Sequence, residues 1–125
     1  MNTLNKDQVK YLHKLLLDRT VGTEGIRDEG SLESALANPF QTFDGVELYP
    51  SIASKIARIV YGLVCNHPFV DGNKRVGVYL TLVLLELNHF EVDFSQDDAV
   101  RIGLELASGV MNDRRLLELI LDREK

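Results

Sequence analysis

The chain has 125 residues, of which 45% are apolar and 26% charged, with a formal net charge of −5. That length holds one domain with a real core and is too short for two ordinary ones. The acidic balance excludes a general attraction for nucleic acid, the single cysteine excludes an intrachain disulfide, and the longest uncharged apolar run, Val76 to Leu85, is about half of what a membrane span needs.

Thr3 to Asp18 predicts a first helix, started by Thr3 or Asn5, with Val9, Leu12, Leu15 and Leu16 on its apolar face. The residues before it carry no apolar core of a signal peptide, so a cytoplasmic protein without membrane contact is expected. Val21 to Gly30 holds three glycines and predicts a loop. Ser31 to Ala37 reads as a short second helix capped by Ser31, and Asn38-Pro39 ends it because the residue before proline is pushed from helical angles. Thr42 to Tyr49 reads as two extended pieces around Asp44-Gly45, a hairpin signal. Such an arm suits strand addition to a partner backbone as well as a plain surface turn.

Ser51 caps a third helix that runs to about Asn66. Ile52, Ile56, Ile59, Val60 and Leu63 form its apolar stripe, with Ser54, Lys55 and Arg58 off it. Cys65 is expected to be a small buried hydrophobe. The fourth helix starts at Asn73-Lys74 and is apolar nearly all round, the pattern of a helix buried at the centre of its bundle, with Asn88 as a left-handed cap. Phe90 to Phe94 alternates like a short strand. Ser95 and Asp98 form a capping box for a fifth helix carrying Ala99, Ile102, Leu104 and Leu106. Ser108-Gly109 breaks the chain, and Asn112 caps a last helix with Leu116, Leu117, Ile120 and Leu121 as its apolar residues. The expectation is a single all-α domain over residues 1–125, a bundle of about six helices with a short hairpin-like flap.

Chemistry concentrates between the third and fourth helices, in His67-Pro68-Phe69-Val70-Asp71-Gly72-Asn73-Lys74-Arg75. A plain connection does not need a His, an Asp, an Asn, a Lys and an Arg within nine residues. The free N–H groups and positive dipole end of a helix start make an anion site, and Gly72 lets an anion approach the backbone. Lys74 and Arg75 stand where the dipole alone would favour acids, so a bound anion would complete the site. Asp71 is a hard oxygen ligand of the kind that holds magnesium on a nucleotide phosphate. His67 is the natural general base, Phe69 points to the core and fixes the loop, and Asn73 either bonds a phosphate or holds the turn. A base, a metal site and cationic clamps are what phosphate-group transfer requires. His13 and His89 read as surface or structural residues.

This stretch resembles the Fic/Doc signature, H-x-F-x-[DE]-[GA]-N-[GK]-R. Gly25 to Leu36, Glu47 to Pro50 and Tyr61 to Leu63 are similar to the death-on-curing toxin branch of that family. The resemblance implies a compact Fic fold in which the motif loop and the following helix bind ATP, with Phe69, Gly72, Asn73, Lys74 and Arg75 on the nucleotide, Mg2+ on Asp71, and His67, Asp71, Lys74 and Arg75 in catalysis. Most Fic proteins transfer AMP to a target hydroxyl, whereas Doc toxins phosphorylate a threonine of elongation factor Tu and are restrained by a Phd-type antitoxin. AMP-transferring relatives have Gly at the position of Lys74 and a second Arg at that of Val78, so this pair resembles the Doc pattern. Gly72 departs the other way, toward the AMP-transferring enzymes. The sequence therefore leads to a kinase toxin with a Phd-like antitoxin, against AMP transfer to a protein hydroxyl and against a non-catalytic antitoxin-binding module.

Overall fold

The third helix of the chain becomes the centre of this bundle. A computed structural model describes residues 1–18, 22 and 24–125. In chain order its elements are α1 (Lys6–Asp18), α2 (Glu29–Ala37), a 3-10 turn (Asn38–Phe40), β1 (Thr42–Phe43), β2 (Val46–Glu47), α3 (Ile52–Asn66), α4 (Asn73–Leu87), α5 (Gln96–Ser108) and α6 (Asp113–Arg123). This is the expected all-α fold of six helices with one small hairpin among the described residues. The predicted glycine loop falls partly outside the described residues, at Val21 and Thr23.

The apolar pattern of α4 predicted that it would be the buried centre, and the structure gives that place to α3. Helix α3 packs against α2, α4, α5, α6 and the 3-10 turn. Ala53, Ala57 and Gly62 are buried along it. A side chain at Gly62 would meet the Ala35 backbone of α2 at 3.5 Å, and one at Gly77 of α4 would press to 2.4 Å of Val64. Helix α4 leaves Tyr79, Leu82 and Leu87 exposed. Thr81 is fully buried there and bonds its hydroxyl back to the Gly77 carbonyl at 2.8 Å, which satisfies the polar atom within the helix.

Local signals hold at most helix ends. Ser51 and Ser95 form complete capping boxes, and the Asn112 side chain caps α6. Helix α2 begins earlier than expected because Asp28, not Ser31, is its cap: Asp28 accepts from the Ser31 amide and hydroxyl at 3.2 and 2.8 Å. The left-handed residue after α4 is His89 (φ 62°) rather than Asn88, whose amide bonds the Leu84 carbonyl instead. Cys65 is exposed, on the opposite side of α3 from its packed face. Ile52, Leu15, Leu104 and Leu121 are also exposed, while Leu17 and Leu119 take core positions. Lys55 is buried, because Nζ reaches the Glu47 carboxylate at 3.0 Å and the Tyr49 carbonyl, and so ties the hairpin's return strand to α3.

The hairpin pairs Thr42 with Glu47 and Phe43 with Val46 around Asp44-Gly45, both at positive φ. The extended segment after α4 finds its partner in the C-terminal tail: Val92 bridges Glu124, and the amides of Asp93 and Lys125 bond the carbonyls of Arg123 and Glu91 at 2.8 and 2.9 Å. Beside it, the Arg123 guanidinium binds both Asp98 oxygens at 2.9 and 3.1 Å. That contact, with the Ser95 amide, holds the Asp98 carboxyl at about 2, below its ordinary 3.8. A depressed carboxyl stabilises the fold above its unfolded pKa, and the contribution is lost as pH falls through about 4 to 2. Asp98→Asn is expected to lower the melting temperature at pH 6 by a few degrees, and the gap to the unsubstituted chain should narrow steadily as pH falls from 4 to 2. Calorimetric scans across that range check it; a gap independent of pH would mean that the carboxylate's charge is not what stabilises the α5–α6 contact.

No helix among the described residues is long and apolar enough to cross a membrane.

Candidate active site

Helix α3 ends where the chain must turn sharply, and the turn carries the histidine. His67 is the C-terminal cap of α3 in the left-handed conformation (φ 48°, ψ 56°), a region in which His is among the more tolerated side chains. The last carbonyls of a helix lack intrahelical donors. Here Arg27 supplies them, with Nε on the His67 carbonyl at 2.7 Å and Nη2 on the Asn66 carbonyl at 2.6 Å. Residues 25–28 then run along the loop as a strap. The amides of Arg27 and Asp28 both bond the Pro68 carbonyl, at 2.7 and 3.0 Å, Val70 N–H bonds the Gly25 carbonyl at 3.1 Å, and Ile26 bridges Phe69.

The far end of the loop is fixed from within. Asn73 is buried, and its side chain closes a ring on Phe69, accepting from the Phe69 amide at 3.0 Å and donating to its carbonyl at 2.9 Å. Of the two roles open to Asn73, the geometry shows it holding the turn. Phe69 is 1% exposed and stacks on His13 of α1, with ring centroids 3.8 Å apart and planes 7° apart. It supports the loop from behind and opens on a smaller cleft beside α1 rather than on the cationic pocket. Gly72 caps α4 with φ +81°, a conformation that glycine adopts without strain, and donates to Asp71 Oδ1 at 2.8 Å.

The pocket in front of this loop has a volume of about 400 Å³. It is lined by His67, Asp71, Gly72, Asn73, Lys74 and Arg75, with Val70 and Ala107 at its edge. His67 and Lys74 are exposed, and Asp71 and Arg75 half-buried. Val76 is the first residue of α4 whose amide finds a helical acceptor, Gly72 O at 2.9 Å, and no side chain caps the helix start. Amides and two cations thus meet at the positive end of a helix dipole, an arrangement suited to a phosphate chain. Among the described residues no three His, Cys, Asp or Glu side chains come together as a metal cage. A magnesium ion suits this donor set nonetheless, since it is commonly held by one or two carboxylates with substrate phosphates and water completing its shell.

Sequence reasoning missed three residues that shape this site. His13, read as surface or structural, is structural: it is buried and reaches the Asp71 carbonyl with Nε2 at 2.7 Å, a place in this site that the sequence did not reveal. Its spacing from Val9 and Leu17, one turn to either side, was a usable signal, since all three are buried on one face of α1. Arg27 sits in a glycine-rich loop far from the motif in sequence, and no local pattern reveals its partners. Gly103 of α5 makes room for Lys74, because a Cβ there would lie 3.0 Å from Lys74 Cγ and 3.1 Å from Val78 Cγ2.

Residues 3–85 match the Fic/DOC family. Toxin Doc of Mycolicibacterium smegmatis (strain ATCC 700084 / mc(2)155) is 36% identical over 85 residues, which are 66% of this chain and 65% of that relative. The matched region thus spans just under two thirds of the relative's length.

Proposed function

The chain belongs to the Fic/DOC family, and from that premise we propose that it is the toxin of a type II toxin–antitoxin system, an ATP-dependent kinase that phosphorylates a threonine of elongation factor Tu and so stops translation. Its place of action would be the cytoplasm, the whole chain would act as one catalytic domain, and its restraint would be a Phd-like antitoxin. The similarity to a protein named Toxin Doc supports the toxin reading. The observation that carries the kinase reading is the start of α4. Lys74 lines the pocket beside Arg75, and one turn on, Val78 presents an apolar side chain where AMP-transferring relatives carry a second Arg.

In this reading His67 takes the proton of the target hydroxyl, and its left-handed backbone keeps the ring at the pocket. Asp71 would hold magnesium, which neutralises charge on the nucleotide phosphates. Lys74, Arg75 and the amides at the start of α4 would bind the phosphates, while Phe69 and Asn73 keep the loop in register. An apolar groove of about 330 Å³ between α4 and α5, lined by Val78, Tyr79, Val100 and Leu104 and adjoining Lys74, offers a surface for the antitoxin.

AMP transfer to a protein hydroxyl is the second reading, and Gly72 favours it, since AMP-transferring relatives have glycine there. The intact mass of elongation factor Tu after incubation with the chain, ATP and Mg2+ separates them. A gain of one phosphate is expected. A gain of one AMP would overturn the kinase reading in favour of the second. No gain together with no ATP binding would leave a non-catalytic antitoxin-binding module.

A further inference from the structure

The peptide unit between Asp71 and Gly72 is held at both ends. Its carbonyl oxygen meets His13 Nε2 at 2.7 Å, and its N–H donates to Asp71 Oδ1 at 2.8 Å. A carbonyl can only accept, so His13 Nε2 must carry the proton and donate. The unit leads into Gly72, where either sign of φ is accessible at little cost. Rotation of this peptide is therefore easy unless something holds the carbonyl. If it turned over, the Gly72 N–H would leave the Asp71 carboxylate, which would lose that hold on its orientation. His13 is buried at 5% exposure, its ring lies flat on Phe69, and α1 carries it to the loop from 58 residues away in sequence.

From this we infer that His13 is a positioning residue: by holding the Asp71 carbonyl it fixes the 71–72 peptide, and through the Gly72 amide it aims the Asp71 carboxylate at a magnesium–nucleotide complex. This rests on the proposed role of the pocket in binding that complex. His13 does not itself touch the nucleotide, since it lies behind the loop with Phe69. Its two contacts are separable. His13→Phe keeps a flat ring against Phe69 and removes the donor. His13→Gln keeps a donor of similar reach and removes the ring.

The test uses the full chain and two readouts: amide exchange at Gly72 in the free protein, and the Mg2+ concentration that half-saturates ATP binding. Loss of a partner that orients a metal ligand typically costs about 10- to 100-fold in metal affinity. His13→Phe is expected to speed Gly72 exchange and raise the Mg2+ requirement about 10- to 100-fold, with helix content unchanged, while His13→Gln stays near the unsubstituted chain. Should the Phe variant not fold, His13→Leu makes the same donor-free test. Unchanged Gly72 exchange in a folded donor-free variant would overturn the inference, as would equal losses in the Phe and Gln variants, which would assign the effect to stacking. Failure of the unsubstituted chain to bind ATP with Mg2+ would instead strike the reading of the pocket, and Gly72 exchange would still report on the peptide.

Discussion

His67→Ala is expected to slow transfer to the target hydroxyl by about 10²- to 10⁴-fold, the contribution of a positioned general base. The side chain is exposed at the pocket and belongs to no packed cluster. Its backbone carbonyl, which Arg27 binds, survives the substitution. The fold should therefore persist, with one qualification that provides a control. At φ 48° an alanine is less well tolerated than the histidine it replaces. His67→Asn removes the base but tolerates that conformation better. Both variants should lose activity to the same extent, and only the alanine variant should lose stability. Rates of target modification read by intact mass, beside melting temperatures, decide the matter. Substantial activity in either variant would place the base elsewhere.

Phe69→Ala should cost about 3–5 kcal/mol of stability, as truncation of a buried aromatic ring does. A domain of this kind is stable by roughly 5–15 kcal/mol in all, so the variant would be marginal. The reason lies in the loop's construction. Phe69 is where α1, the strap at residues 25–28 and the start of α4 meet, through the His13 ring, the Ile26 bridge and the Asn73 amide. Removing the ring leaves a cavity against His13 and frees two of those connections to shift. Phe69→Leu keeps much of the volume and is expected to cost about half as much. Urea unfolding curves measure both. A loss below about 0.5 kcal/mol in the alanine variant, within the range of ordinary surface changes, would show that the loop is held without its aromatic anchor.

Much of this architecture was legible in the sequence because its causes are local. The caps at Ser51, Ser95 and Asn112 act within one helical turn, and the Asp44-Gly45 hairpin depends on two adjacent backbone conformations. The motif was legible for the same reason: a turn from His67 to Gly72 feeding straight into α4 brings its polar residues to one helix start by proximity alone. One local signal misled. Ser31 read as the cap of the second helix, and Asp28 takes the position because its carboxylate reaches the Ser31 amide and hydroxyl together.

What only the tertiary structure decided depends on residues distant in sequence. Helix α4 looked central because it is the more continuously apolar, but centrality is set by which elements the fold packs around a helix, and α2, α4, α5 and α6 all pack on α3. Lys55 lies off the apolar stripe of α3, and it is buried because the hairpin returns Glu47 and the Tyr49 carbonyl to it. At the site, the sequence supplied the groups in front of the loop, and the tertiary structure supplied those behind it: Arg27 on the end of α3, Gly103 under Lys74, and His13 beneath Asp71. A side chain that acts by holding another residue's backbone leaves no pattern near its target. Its partner is chosen by packing, and packing is settled only when the whole chain has folded.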